Sequence, residues 1–287
     1  MDALQDGLQP DAALTRLLLL GATGRVGRMV RKAWALDPPN VEPIYQSRKP
    51  AAGHRDWPDL ADPPADVRAE VVIALSGVTP ATGSDMEDNV RLAEASLEVA
   101  KRVGARRLLI ASSSAVYGGS RPEPYAESDP VAPLMPYGAS KARMEAVVRR
   151  QVPPGLECTF LRIGNVAGAD ALLLNDGETG IAIDRFADGQ GPRRSYIGPR
   201  TLARVLAALA THEGELPEVL NIGTPDPVEM ASLATAAGFD WSFVDARPHA
   251  QATITLDVSQ LDALLPFVPK DSDAAQMVAE WQDVRDG

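Results

Sequence analysis

Arg16-Leu17-Leu18-Leu19-Leu20 is a short, unbroken apolar run that enters Gly21-Ala22-Thr23-Gly24-Arg25-Val26-Gly27 and continues as a helical pattern to Leu36. Unbroken apolar character, rather than apolar–polar alternation, marks a strand buried on both faces. Such a strand, followed by a glycine triplet and a helix, is the context in which Gly-x-x-Gly-x-x-Gly binds a dinucleotide. Gly21 permits a tight turn, Gly24 lets the backbone approach a pyrophosphate, and Gly27 lets the helix lie close to the strand. The helix N-terminus then faces the negative charge. The same triplet occurs in ordinary strand-to-helix turns, so the context carries the reading more than the spacing does.

The alternation continues along the chain. Asp37-Pro38-Pro39-Asn40 breaks the first helix, and Val41 to Gln46 predicts a second strand in spite of Pro43. Residues 47 to 66 are rich in Pro, Asp and Ala, and no element is assigned there. Glu70 to Leu75 is a buried strand ending at Ser76-Gly77. Ser84-Asp85-Met86-Glu87 has capping-box spacing and predicts a helix to Val103, with Gly104 as its C-cap. Arg107 to Ala111 is a strand flowing into Ser112-Ser113-Ser114, Met135 to Gln151 is a helix, and Glu157 to Ile163 is a further strand. Beyond Gly168 the order weakens: residues 169 to 199 read as loop-rich, Thr201 to Thr211 as a helix, Val219 to Gly223 as a short strand, and Ala252 to Asp257 as extended. Residues 1 to 13 read as a loose extension.

Strands alternating with helices through crossovers predict an α/β fold, a Rossmann doubly wound parallel sheet with a small, loop-rich C-terminal substrate lobe. The expected division is residues 14–168 for the nucleotide-binding part, with 195–223 returning to it, and 169–194 plus 224–287 for the lobe.

Bulk properties exclude several classes of function. A formal net charge of −11 argues against nucleic acid as a partner, though an anionic small molecule needs only local positive charge. One cysteine, Cys158, allows no internal disulfide and fits a reducing compartment; its apolar neighbours read as packing. His54, His212 and His249 are scattered and no Cys/His cluster exists, so no metal site is expected. The longest apolar stretch, Leu17 to Ala22, is too short to span a bilayer, and the acidic, polar first ten residues are unlike a secretory signal. A cytoplasmic enzyme is the expectation.

Chemistry concentrates in Pro136-Tyr137-Gly138-Ala139-Ser140-Lys141. On a helix, Tyr137 and Lys141 sit at i and i+4 and point from one face. An ammonium beside a phenol favours the phenolate, so Tyr137 is expected below its ordinary pKa and suited to exchanging protons. The second strand ends Tyr45-Gln46-Ser47-Arg48 with no acid for a ribose 2′-hydroxyl, while Arg48 and Ser47 suit a 2′-phosphate. NADP is therefore favoured over NAD, although Arg48 and Lys49 read equally as solvated loop charges.

Together, the glycine triplet, Ser112-Ser113-Ser114-Ala115-Val116-Tyr117-Gly118, Tyr137-Gly138-Ala139-Ser140-Lys141 and Leu161-Arg162-Ile163-Gly164-Asn165-Val166-Ala167-Gly168 resemble the extended short-chain dehydrogenase/reductases. The NAD-dependent epimerase/dehydratase group is the nearest match, over about residues 16 to 260. The resemblance implies that Tyr137 is the acid/base, that Lys141 binds the nicotinamide ribose and tunes Tyr137, and that Ser113 bonds the reacting oxygen. Ser112 or Ser114 are alternatives to Ser113, which also reads as a turn cap. It further implies that Gly21, Thr23, Gly24, Arg25, Val26, Gly27, Gln46, Ser47, Arg48, Leu75, Ser76, Gly77 and Asn89 hold the cofactor together with Tyr137 and Lys141. Asn89 reads equally as a polar residue on a helix surface. On the substrate side, Ser114, Asn165, Arg194 and Arg247 are the candidates, the two arginines gripping a diphosphate.

The departures from the family pattern fall on that side: Gly198-Pro199-Arg200-Thr201 replaces the usual His-containing segment, Ala167 replaces an aromatic residue, and Ala250 replaces an acid. The expected activity is an NAD(P)-dependent oxidoreductase or epimerase acting on a hydroxyl or carbonyl carbon of a nucleotide sugar or related small molecule. Ser114-Ala115 stands where eliminating relatives carry an Asp-Glu pair, which disfavours a dehydratase. A noncatalytic, redox-sensing dinucleotide-binding protein is the competing reading, disfavoured because Tyr137 and Lys141 are both present. The resemblance also implies a homodimer through the helices at 85–103 and 136–151, and no membrane partner.

Overall fold

A computed structural model of the chain describes residues 14–174 and 180–285; the extension expected over residues 1 to 13 lies outside the described residues. The first half runs β1 (Thr15–Leu20), α1 (Arg25–Leu36), β2 (Val41–Ser47), β3 (Arg55–Asp56), β4 (Val71–Ala74), α2 (Asp88–Val103), β5 (Arg107–Ser113), α3 (Pro136–Arg149) and β6 (Glu157–Ile163). The chain then passes through β7 (Asn165–Val166), β8 (Ile181–Arg185), β9 (Arg193–Arg194), β10 (Tyr196–Ile197) and α4 (Pro199–Thr211) before β11 (Val219–Ile222). It ends with β12 (Val228–Glu229), α5 (Met230–Ala236), β13 (Trp241–Asp245), β14 (Thr253–Ile254), α6 (Ser259–Leu264) and α7 (Ala274–Arg285).

The central sheet has seven strands in the order β11-β6-β5-β4-β1-β2-β3. Every neighbouring pair in it is parallel, so this is a doubly wound Rossmann sheet. The four leucines of β1 explain why it lies at the centre. Leu17 and Leu19 enter one core with α1, α4 and α7, while Leu18 and Leu20 enter the other with α2 and α3; none is exposed. Each such burial is worth about 2 kcal/mol relative to exposure, which strand–strand hydrogen bonding alone would not supply.

Three small sheets carry the rest: β10 with β7, β13 with β8, and β9 between β12 and β14. The stretch read as loop-rich therefore holds β8, β9 and β10, strands too short for periodicity to reveal. Within 47–66, where no element was assigned, β3 extends the sheet by pairing Gln46 with Arg55 and Ser47 with Asp56. The capping box expected at Ser84 does not form. Asp85 closes the turn instead, its side chain accepting from the Glu87 amide at 3.0 Å and its carbonyl from that of Asp88 at 3.0 Å, so α2 starts at Asp88. At its other end Gly104 takes the left-handed conformation (φ 76°) expected of a C-cap. No helix among the described residues is long and apolar enough to cross a membrane.

Candidate active site

The order of the strands reverses between β1 and β4, the kind of switch point outside whose carboxyl ends open α/β sheets bind ligands. At this point the backbone is packed as closely as covalent geometry allows. A Cβ on Gly21 would lie 2.6 Å from the Ser76 nitrogen, and one on Gly27 only 2.2 Å from the Gly21 carbonyl oxygen. Gly21 also has φ +76°, a region L side chains rarely adopt. Gly24 caps α1 with no side-chain bond to the first turn, so the amides there are left for a ligand. The cradle fits a dinucleotide diphosphate in both shape and polarity. Val26 is half-buried beside it, and Thr23 is exposed with its carbonyl accepting from Arg28 at 2.6 Å. Arg25 turns across to the Ala169 carbonyl at 3.1 Å.

At the end of β2 the side chains already have protein partners. Gln46 donates to the Trp57 carbonyl at 3.3 Å, and the Ser47 hydroxyl donates to the Lys49 carbonyl at 2.6 Å. Arg48 is exposed. The third strand brings Asp56 into register with Ser47, a carboxylate that a reading confined to β2 does not consider. Arg31 lies 5.0 Å from the Tyr45 ring centroid, behind the same strand end.

The catalytic candidates converge from β5, the turn after β4, and α3. Pro136 starts α3, where its missing N–H costs nothing. Gly138 lets the helix press onto the turn after β5: a Cβ there would sit 2.1 Å from the Ala115 carbonyl oxygen. That contact brings Tyr137 to Ser113. Burial raises the Tyr137 phenol above its ordinary pKa, and a side-chain hydrogen bond with Ser113 opposes the rise. The expected lowering by Lys141 is thus reversed in this structure, because burial outweighs the other influences and the Lys141 ammonium is engaged elsewhere. Lys141 is 4% exposed and donates to the Ala111 carbonyl at 2.9 Å, and burial pulls its pKa down to about 8. A Cβ on Gly77 would lie 3.2 Å from its Nζ, which places the lysine under the turn after β4.

Ser113 has a second tie, its hydroxyl oxygen accepting from the Ala115 amide at 3.2 Å, which is the turn cap the sequence suggests. Ser112 is buried and donates to Glu145 at 2.5 Å, and Ser114 is half-buried. Asn89 is 1% exposed rather than on a surface. It pairs with the Val78 backbone in both directions (3.0 and 3.1 Å) and donates to Ser140 at 3.0 Å, fixing the 76–78 turn to α3. Leu75 and Ser76 line that turn on the Gly21 side, with the Leu75 amide donating to the Leu20 carbonyl at 3.0 Å.

On the substrate side the two arginines have separate partners. Arg194 donates to the Gln251 carbonyl at 2.7 Å and the Ala252 carbonyl at 3.0 Å, bracing β9 to the chain before β14. Arg247 pairs bidentately with Asp184 (3.1 and 2.9 Å) at the surface. This pair holds the Asp184 carboxyl below its usual range. Asn165 bonds the Tyr196 hydroxyl region, and that hydroxyl donates to Asp170 at 2.6 Å. Cys158 is no nucleophile: burial pushes its thiol up to about 12.

A family model described as the NAD dependent epimerase/dehydratase family matches residues 17–223. The chain belongs to this family. Its members similar in sequence include a UDP-glucose 4-epimerase of Lacticaseibacillus casei, 39% identical over 74 residues that make up 25% of this chain and 22% of that protein. A dTDP-6-deoxy-L-talose 4-dehydrogenase (NAD(P)(+)) of Kitasatospora kifunensis is 32% identical over 177 residues, 56% of this chain and 55% of the relative. The chain thus spans well under two thirds of either relative. Among solved structures, the UDP-glucose 4-epimerase from Bifidobacterium longum in complex with NAD+ and UDP has a TM-score of 0.73 at 19% identity, covering 93% of this chain and 98% of that one. At that identity the likeness concerns the epimerase/dehydratase fold.

Proposed function

We propose that this member of the epimerase/dehydratase family is an NAD(P)-dependent sugar-nucleotide epimerase or reductase working through Ser113, Tyr137 and Lys141. The observation that carries the reading is the convergence of these three side chains, from β5 and α3, beside the glycine cradle at the sheet's switch point. A nicotinamide dinucleotide bound there would supply hydride exchange with a sugar carbon. The amides of Arg25 and Val26 would hold its diphosphate, and Lys141 its nicotinamide ribose.

Tyr137 holds the proton that the substrate oxygen gains or loses. Its raised pKa keeps the phenol protonated at neutral pH, ready to donate to a carbonyl oxygen that is becoming a hydroxyl. Ser113 orients that oxygen through the same hydroxyl that meets the phenol. Ser114 and Asn165 are assigned to the sugar, and Arg194 and Arg247 to a nucleotide diphosphate. Arg247 is the more available of the two, since its own side chain is largely exposed, and Asp184 keeps the Arg247 backbone amide as a donor when the guanidinium turns to a diphosphate. NADP is the favoured coenzyme on account of exposed Arg48, with NAD as the alternative that Asp56 would support. The reading also expects a cytoplasmic homodimer joined through α2 and α3, which sedimentation velocity would register as a doubled mass.

The test is to identify any nucleotide carried by the purified protein and then to assay Tyr137→Phe. Tightly held NAD favours an epimerase and exchangeable NADP a reductase. Tyr137→Phe is expected to lower turnover by about 10³-fold while leaving dinucleotide affinity nearly unchanged. Dinucleotide binding with no turnover in the unaltered protein would instead favour a noncatalytic sensor, turnover that survives the substitution would remove Tyr137 as the acid/base, and no dinucleotide binding at all would sink the proposal.

A further inference from the structure

We propose that Glu145 is the positioning residue of this site: clamped between Arg162 and Ser112, it holds the Lys141 ammonium and the strand end bearing Ser113 in register. The inference rests on the reading of Lys141 and Ser113 given above.

Glu145 lies one helical turn beyond Lys141 on α3, on the same face. Its carboxylate accepts from three donors on two strands: the Ser112 hydroxyl at 2.5 Å, Arg162 Nε at 3.1 Å and Arg162 Nη2 at 2.8 Å. The side chains of the ion pair are only 4% and 2% exposed. Arg162 is itself fixed from behind. It donates to the Glu127 carbonyl at 3.3 Å and lies over the Tyr117 ring, 4.7 Å from its centroid, while the Tyr117 hydroxyl bonds Asn221 at 2.7 Å. The clamp therefore ties α3 to β5 and β6 at a single carboxylate.

Burying such a pair contributes little net stability, because desolvation offsets the Coulomb attraction. What it does supply is placement and charge. Ser112 adjoins Ser113, and the Ala111 carbonyl that receives Lys141 lies one residue before Ser112, so α3 is stitched to β5 at the two residues that lead into Ser113. The titratable groups near Lys141 on α3 are Glu145 and Tyr137, and behind Glu145 stands Arg162 of β6. From β5 it meets the neutral Ala111 carbonyl, and from α2 and the 76–78 turn neutral Asn89 and Gly77. Glu145 is the one charged group that opposes the effect of burial on Lys141.

The test uses the full chain labelled with [ε-¹³C]lysine. It contains five lysines, so the Lys141 signal can be assigned by its loss in Lys141→Arg and titrated by NMR. In Glu145→Gln the midpoint is expected to fall by about one pH unit or more relative to the unaltered protein. The double variant Glu145→Gln/Arg162→Met leaves no buried guanidinium without its carboxylate, so it remains informative if the single variant does not fold. Its midpoint is expected to fall as well, and Tyr137 to titrate differently, whereas Arg143→Ala, which breaks an exposed pair on the same helix, leaves both alone. An unmoved Lys141 midpoint in either folded variant overturns the proposal, since a purely structural pair would be replaced without any such shift. The titration needs neither turnover nor bound dinucleotide. A protein that binds no dinucleotide would therefore sink the functional reading while leaving this result legible.

Discussion

Around Gly21 and Gly27, backbone lies against backbone with no room for a single methyl group, whereas around Arg194 and Arg247 the contacts are made by long side chains. The two halves of the candidate site therefore tolerate change differently. A backbone clash cannot be relieved by choosing another rotamer, so the cofactor side is restricted to few residues at each position. A guanidinium that is itself exposed, as that of Arg247 is, can exchange its partner for a substrate group. Of the departures from the family pattern, Ala250 falls on this more adaptable side, whereas Ala167 is fully buried and Gly198 to Thr201 are packed against Glu280 of α7.

The harshest way to break the comparison is Gly27→Val. It is expected to cost more than about 3 kcal/mol and to abolish dinucleotide binding, read by thermal denaturation and a fluorescence titration. A variant that melts like the parent and still binds would show that the cradle is less tightly built than its distances indicate.

Next in size is the pH dependence that Lys141 contributes. Its folded pKa, about 8, lies below the ordinary 10.5, so unfolding takes up a proton between those values. Stability should therefore rise with pH from 8 to 10.5 relative to a Lys141→Met reference, by on the order of 3 kcal/mol in all, and the difference should be flat below pH 8. Denaturant melts of both proteins across that range provide the check; a difference that falls with pH would contradict the burial of the ammonium.

The substrate lobe offers a paired contrast. Arg194→Ala removes bonds to two carbonyls in a half-buried setting and should destabilise by about 1–3 kcal/mol. Arg247→Ala removes an exposed guanidinium but leaves its backbone amide on the largely buried Asp184 carboxylate, so it should cost less stability than Arg194→Ala while weakening nucleotide-sugar binding more. Equal stability losses would erase the distinction between brace and ligand. The smallest effect is expected at the end of β2, where Arg48→Ala should weaken NADP several-fold more than NAD, and Asp56→Asn should do the reverse. Dissociation constants for both coenzymes in both variants decide between the two.

Much of the cofactor half was legible in the sequence because its signals are local. The apolar run of β1, the glycine triplet and the Tyr137–Lys141 spacing each lie within one element and its flanking turn. Elements of two residues, such as β3 and β9, leave no periodic trace and were missed. Asn89 and Gly138 matter through contacts across long sequence separation, Asn89 with Ser140 and Gly138 with Ala115, which no local pattern announces. The acidic α3 residue Glu145 gave no sign of its buried partner on β6. A carboxylate followed much later by an arginine is ordinary in any chain.

By itself, the order of residues determined which segments become buried strands, where the chain turns on glycine, and which phenol and amine share a helical face. These follow from steric and hydrophobic preferences acting over a few neighbouring residues. Only the tertiary structure decided the protonation tendencies of Tyr137 and Lys141, the occupation of Arg194 and Arg247 by protein groups, and the arrival of Asp56 beside Ser47. Those outcomes depend on solvent exclusion and on which charges the fold brings within a few ångströms, and both are properties of the packed molecule.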